Sequence, residues 1–298
     1  MIINQGNLDG IYRGFSAAFN QGFTSAPTAY ASVAMTAPSS TRETTYAWMG
    51  QIPRLREWLG ERVIKNLNTY GYTIQNRKFE STVEVQREDI EDDSYGVYGP
   101  LFTEMGRTAA EHPDELVFSL LANGFTSHCY DGQYFFDSDH PTTDKDGAET
   151  VASNIQAGEG VPWFLFDTSR AIKPLIFQRR LEYELQRIDR ATDENVFMKD
   201  LYLYGVRARA NAGFGLWQLA YGSMAALTPE NYAAARAAMM ALRGDEGRLL
   251  GVTPDTLVVP PFLEAEGRQV VIADRLDSGA SNVWAGSAKL ITTAWLAE

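Results

Sequence analysis

Leu8, Ile11, Tyr12, Phe15 and Phe19 fall at i, i+3, i+4, i+7 and i+11, so all five share one face of a helix. The chain then passes directly into residues 24–41 (TSAPTAYASVAMTAPSST), small and polar with two prolines, which read as extended or linker-like. Burying each large side chain is worth roughly 1.5–3 kcal/mol. A helix hung on such a segment must therefore find its cover elsewhere. The spacing leaves two covers open, the rest of its own domain or a neighbouring subunit. Asn7 is placed to cap the helix.

Residues 42–87 carry β patterning. Tyr46 and Trp48 alternate with small residues, 61–67, 72–77 and 79–87 read as further strands, and Val83 and Val85 share a face. The segment Asn68-Thr69-Tyr70-Gly71 is a turn signal. Arg54, Arg56, Arg62, Lys65, Arg77 and Lys78 make this the most basic part of the chain. A long hairpin is marginal in water by itself, so it needs a partner surface. Its charge fits either a solvated face or an acidic neighbour.

Beyond an acidic run, Glu88 to Asp93, the four-residue spacing of Val97, Leu101, Met105 and Ala109 predicts a helix across 97–123, kinked or broken at His112-Pro113. Residues 129–160 read as a turn-rich loop. Strands are expected at 163–166, 174–179, 201–210, 214–221, 256–259 and 288–293. Thr228-Pro229 opens a helix that Gly244 closes, and another helix is expected through 262–274.

At 298 residues the chain is long enough to bury a core without staples, and 45% hydrophobic with 21% charged is ordinary globular composition. The formal net charge of -12 argues against a dedicated nucleic-acid-binding role, whose usual footprint is basic. It does not exclude a surface that encloses DNA without sticking to it. The lone cysteine, Cys129, fits a reducing compartment. Neither a signal peptide nor an apolar run of about 18 residues is visible, so a soluble chain made in the cytoplasm is expected, with no membrane partner.

Catalytic signatures are missing. There is no Gly-Lys dipeptide for a phosphate-binding loop, no H-E-x-x-H and no G-x-S-x-G. Cys129 beside His128 is not a nucleophile–base pair on adjacency alone. The loop bearing Asp131, Asp137, Asp139, His140, Asp144 and Asp146 is the best metal candidate, yet it fails the calcium-loop pattern because Thr142 and Ser153 occupy its end positions. It reads better as Asp side chains capping turn NH groups. No catalytic residue, cofactor or metal ligand is assigned.

Ten segments in order carry a resemblance: MIINQGNLDGIYRGFSAAFNQGF, YAWMGQIPRLREWLGERV, EDIEDDSYGVYGPL, AAEHPDELVFSLL, YDGQYFFDSDHP, PWFLFDTSRAIKPLIFQ, GFGLWQLAYGS, NYAAARAAMMALRGDEGR, LLGVTPDTLVVPPFLE and NVWAGSAKLITTAWL. Together they resemble the major head subunits of Mu-like phages and prophages, which are similar to tailed-phage capsid proteins of the Hong Kong 97 type. The resemblance implies an α+β fold with an N-terminal arm (1–41), an extended β-hairpin loop (42–88), a peripheral domain with a long spine helix (89–224) and an axial domain (225–298). The strands of 161–222 precede the axial-like segment, a departure from many relatives that bears on these boundaries.

The implied function is a non-enzymatic major capsid protein that self-assembles, through pentamers and hexamers, into an icosahedral shell enclosing double-stranded DNA. Implied partners are other copies of the chain, a separate scaffold and maturation protease, a portal protein, a decoration protein and the packaged DNA. Its place is the virion, and the host cytoplasm during assembly. The alternatives are an encapsulin-like nanocompartment shell, or a metal-dependent hydrolase using residues 131–146. Candidate subunit-interface residues are Leu8, Ile11, Tyr12, Phe15, Phe19, Trp48, Arg54, Arg56, Trp58, Lys65, Arg77 and Lys78.

Overall fold

The computed structural model describes residues 3–47, 71–92, 94–190, 192–244, 247–276 and 279–297. In chain order the elements are α1 (Gln5–Ser25), α2 (Tyr30–Val33), β1 (Ala34–Pro38), β2 (Glu43–Tyr46), β3 (Tyr72–Gln75), β4 (Arg77–Gln86), α3 (Arg87–Glu91), α4 (Gly99–Ala122), β5 (His140–Thr143), β6 (Glu149–Ala152) and β7 (Ile155–Gln156). They continue as β8 (Trp163–Phe166), β9 (Leu175–Ile188), α5 (Glu194–Lys199), β10 (Leu201–Phe214), β11 (Ala220–Ser223), α6 (Pro229–Ala241), β12 (Thr256–Val259), α7 (Glu264–Val271) and β13 (Lys289–Thr292). Among the described residues no helix is long and apolar enough to cross a membrane.

Two sheets organise the chain. The first has the order β1-β9-β10-β4, and two 14-residue strands, β9 and β10, form its centre. Helices α1 and α4 cover one face of it. There Leu8, Ile11, Phe15, Phe19, Phe102 and Met105 meet Val85, Leu185, Tyr202, Tyr204 and Val206 in one apolar cluster. The second sheet has the order β13-β12-β8-β11-β7. Its central strand β8 is buried at all four positions (WFLF), which is why it reads as a continuous apolar run rather than an alternation. The C-terminal half of α4, with α6 and α7, packs on this second core through Leu116, Val117, Leu121, Tyr232 and Val270.

Several expectations need correction. The helix α1 runs 21 residues, and Asn4 rather than Asn7 caps it, accepting the Asn7 NH at 2.9 Å. The segment after it is no free linker, since β1 pairs in parallel with β9 from Ala34↔Leu175 to Pro38↔Arg179. Pro113 neither ends nor restarts α4; it sits buried within a single helix. The helix begins at Gly99, and Val97 lies exposed in the 3-10 turn before it; Leu101 is exposed too, while Phe102, one residue off the expected stripe, is fully buried. The helix α6 stops at Ala241, short of Gly244. In the second sheet β8 pairs with both β11 and β12. The strand expected at 61–67 lies outside the described residues.

Candidate functional site: the helix crossing, the hairpin base and the two ends of the long sheet

Helix α1 crosses α4 at a pair of glycines. A Cβ on Gly22 would fall 1.8 Å from the Thr103 carbonyl oxygen, and one on Gly106 would fall 2.0 Å from that of Phe19. Any side chain there must push the helices apart, so the two backbones lie in direct contact. The crossing brings Phe15 onto Phe102, with ring centroids 4.1 Å apart. Leu8, Ile11, Phe15 and Phe19 are each no more than 5% exposed. Of the two covers left open by the sequence, the chain's own core covers these four. Tyr12 is half-buried. Its hydroxyl donates to the Leu185 carbonyl at 2.6 Å, and the Arg187 guanidinium lies 4.5 Å over its ring.

Further along α4, the buried Asp114 carboxylate accepts the NH groups of Ala29 (2.9 Å) and Tyr30 (2.7 Å), tying the arm to the helix. Burial pushes this carboxyl up, against the two NH donors, which pull it down. Asp114 follows the His112-Pro113 pair at which a kink or break is expected. Its role is to cap the segment that leads into α2.

The hairpin is anchored at its base. Strands β2 and β3 pair from Glu43↔Gln75 to Tyr46↔Tyr72. Gln178 on β9, fully buried, holds this base. Its Nε2 donates to the Ile74 carbonyl and to Asn76 Oδ1, both at 3.0 Å, and its Oε1 accepts the Tyr46 hydroxyl at 2.9 Å. Sequence reasoning missed Gln178, because nothing local distinguishes it from an exposed glutamine on a strand. Trp48, Arg54, Arg56, Trp58 and Lys65 lie outside the described residues. Arg77 and Lys78 are exposed at the start of β4, with the Arg77 guanidinium 5.2 Å from the Phe79 ring centre.

The loop between α4 and β8 contains a buried polar cluster. His140 Nδ1 lies 2.8 Å from Asp131 Oδ2, its Nε2 lies 3.2 Å from Asn154 Oδ1, and its ring stacks on Trp217 at 3.9 Å. The Cys129 thiol donates to Asp131 Oδ1 at 3.0 Å. Asn154 is fixed in turn by donating to the Phe135 (2.8 Å) and Trp217 (3.4 Å) carbonyls. Burial alone would raise the Asp131 carboxyl, but the bonds from His140 and Cys129 outweigh it and hold the group below the usual carboxylate range. Burial and the adjacent carboxylate push the Cys129 thiol up, the opposite of what a nucleophile needs.

Cys129, Asp131 and His140 are the described residues whose ligand atoms cluster as a metal site would, all within 4.8 Å of one another. The Asp131 contacts, at 2.8 and 3.0 Å, are shorter than the roughly 3.3–3.5 Å between ligands of a tetrahedral zinc. The geometry is that of a hydrogen-bonded network. Asp137 and Asp144 behave as the sequence reading expects, accepting the NH groups of Tyr134, Ser138, Asp146 and Ala148. The neighbour His128 takes no part and stacks on Tyr134.

A helix-backed long sheet, the β2–β3 pair beside it and a second sheet built on the same helix make up the Hong Kong 97-type capsid fold. The model of the JBD30 bacteriophage procapsid superposes on the chain with a TM-score of 0.88 at 46% identity, covering 98% of this chain and 100% of that one. The decorated capsid of the same phage, described with minor capsid protein trimers, gives a TM-score of 0.77 at 35% identity over 93% of each chain. The major capsid protein of Escherichia phage Mu is 41% identical over 99% of this chain and 100% of its own length. Residues 8–296 match the family described as Mu-like prophage major head subunit gpT, and the chain belongs to that family.

Proposed function

We propose that the chain is the shell-forming subunit of a Mu-like phage or prophage head, assembling through pentamers and hexamers into an icosahedral container for double-stranded DNA. The observation that carries this reading is the end-to-end match to the head-subunit family, with a fold shared at 46% identity with a procapsid subunit. The same match favours the phage shell over a nanocompartment and over a hydrolase built on residues 131–146. The protonated, buried thiol of Cys129 fits a structural part better than a catalytic one.

In this reading the hairpin of residues 42–88 reaches an adjacent subunit. Trp48, Arg54, Arg56, Trp58 and Lys65 are its contact residues, and Arg77 and Lys78 stand at its root. The helix α4 is the spine, and the second sheet with α6 and α7 crowds the symmetry axes. Assembly takes place in the host cytoplasm with a separate scaffold and maturation protease. A portal protein and a decoration protein complete the partner set.

Electron microscopy of the purified chain, alone and coexpressed with its scaffold, tests the reading. Shells, tubes or five- and six-membered rings are expected, and a persistent monomer under both conditions would overturn it. Deleting the hairpin tip should abolish shells while the subunit stays folded. Unchanged assembly would remove the hairpin from the mechanism.

A further inference from the structure

The four-stranded sheet is electrically two-ended. At one end, α3 and the turn between β9 and β10 gather Glu88, Glu91, Asp92, Asp193, Glu194 and Asp200, where acids outnumber bases. The register Leu201↔Gln86 and Leu203↔Ile188 places these segments side by side. Arg87 is shared between Glu91 and Asp200, so part of the acidic charge is answered locally. In the midst of this end the short helix α5 holds Phe197 and Met198 out to solvent, 80% and 69% exposed. The turn that carries them is set by Asp200. It has a left-handed backbone (φ 50°), the one non-glycine residue with positive φ among the described residues. Few residue types besides glycine tolerate that conformation, and aspartate is one of them.

At the opposite end, Arg209 of β10 stands opposite Lys78 of β4 and Leu181 of β9, and Arg77 is opposite Ala210. Arg207 lies one step inward, opposite Glu80 and Glu184. Among the described residues no ion pair engages Lys78, Arg207 or Arg209, and the Arg209 Nε is buried without a hydrogen-bond partner. Leu181 is 37% exposed among these cations. The two ends are separated by eight residues of β10, roughly 25–30 Å at the rise of a strand. That distance is well beyond the ~8 Å screening length at physiological salt, so one subunit cannot satisfy its acidic end with its own basic end.

We propose that the acidic, Phe197-bearing end of one subunit docks on the basic, Leu181-bearing end of a second copy. The contact is head-to-tail, and the two complementary patches are different surfaces of the same chain. Phe197 and Met198 supply the apolar anchor beside Leu181. The surrounding charges set register, with Asp92 and Glu194 facing Lys78 and Arg207. The inference rests on the shell reading above and adds a specific surface outside the hairpin.

The test is a charge exchange on the full chain. Lys78→Glu with Arg207→Glu reverses the basic end, and Asp92→Lys with Glu194→Lys reverses the acidic end; all four side chains are exposed. Each pair alone should lower the assembled fraction, read by sedimentation and electron microscopy, by about tenfold or more. All four substitutions together, which restore complementarity with inverted sign, should bring it back to within about threefold of the unmodified chain. Phe197→Ser should lower assembly in both charge backgrounds. Melting curves matching the unmodified chain establish that each variant folds. If either charge pair assembles normally, or the fourfold variant stays as defective as the pairs, the inference is overturned. If the unmodified chain itself forms no shells with its scaffold, the shell reading fails and takes this inference with it.

Discussion

Gly106 of α4 rests against the backbone of Phe19 in α1, so close that a Cβ would lie 2.0 Å from the Phe19 carbonyl oxygen. Gly22 makes the reciprocal approach to Thr103. A methyl group at either site must separate two helices whose interface includes the Phe15–Phe102 stack. Gly106→Ala gains about 1 kcal/mol of helix propensity, yet overpacking costs typically 1–3 kcal/mol, and more when backbone must move. The variant should therefore be destabilised, by about 1–2 kcal/mol, with a lower denaturation midpoint in urea. An unchanged or raised midpoint would show that the crossing adjusts freely.

His112 governs a second response. Burial, with Arg77 nearby, holds its imidazole down to about 4, against 6.5 in an unfolded chain. The folded state therefore keeps the ring neutral. A depressed histidine contributes stability above pH 6.5, and that contribution is lost as the pH falls toward 4. The full shift would be about 3 kcal/mol. The ring is only partly buried, so solvent screening brings the expected loss to on the order of 1–2 kcal/mol. His112→Phe should flatten the stability profile between pH 6.5 and 4, as read by urea titrations at stepped pH. A parallel slope in both proteins would assign the acid sensitivity elsewhere.

Asp131 acts in a lower window. Its carboxyl is held below the ordinary value of 3.8 despite burial, so its contribution is present above that value and lost as the pH falls through the folded-state pKa. Asp131→Asn removes the charge facing His140 and should destabilise the loop at neutral pH by about 2–3 kcal/mol, the range for breaking a buried charged hydrogen bond. The gap between variant and unmodified chain should narrow below pH 3.8. A constant gap would mean that Asp131 is protonated throughout.

Cys129 should behave as a protected thiol. It is 6% exposed, donates to Asp131, and is pushed up by burial and that carboxylate. Thiol reagents at neutral pH should label it only as fast as the loop opens, and labelling should become rapid in denaturant. Fast native labelling would contradict the packing of this loop.

Where the sequence carried its own periodicity, the fold was legible. The α1 face, the α6 start at Thr228-Pro229 and the apolar run of β8 could all be read locally. What failed had non-local causes. Pro113 reads as a break, yet its ring is buried in a helix held by packing on both cores, and tertiary contact outweighs the missing NH. The second half of β9 went unread because its outward residues Glu182, Glu184 and Gln186 masked the alternation of Tyr183, Leu185 and Arg187. The partners of Cys129 went unread because the turn chemistry of the loop, and not sequence adjacency, brings Asp131 and His140 to it. The exposed pair Phe197 and Met198 sits in a short helix with no sequence periodicity to flag it.

Gln178 should prove to be the latch of the hairpin. It is fully buried, and its amide joins Tyr46 on β2, Ile74 on β3 and Asn76 just beyond. Gln178→Leu keeps roughly the volume but removes three hydrogen bonds, those to the Tyr46 hydroxyl, the Ile74 carbonyl and Asn76 Oδ1. At about 0.5–1.5 kcal/mol for each, the local cost is on the order of 2–4 kcal/mol. The rest of β9 stays paired on both sides through the Ala37 and Asn211 registers, so global unfolding should move less than the hairpin base does. Hydrogen exchange should accelerate at the amides of Thr45, Ile74 and Gln75 by about tenfold or more, while amides of α4 stay near their unmodified rates. If the hairpin is the arm that reaches a neighbour, assembly should slow in the same variant. Slowed exchange, or acceleration spread evenly over both sheets, would show that the base is held by its backbone pairs and not by this side chain.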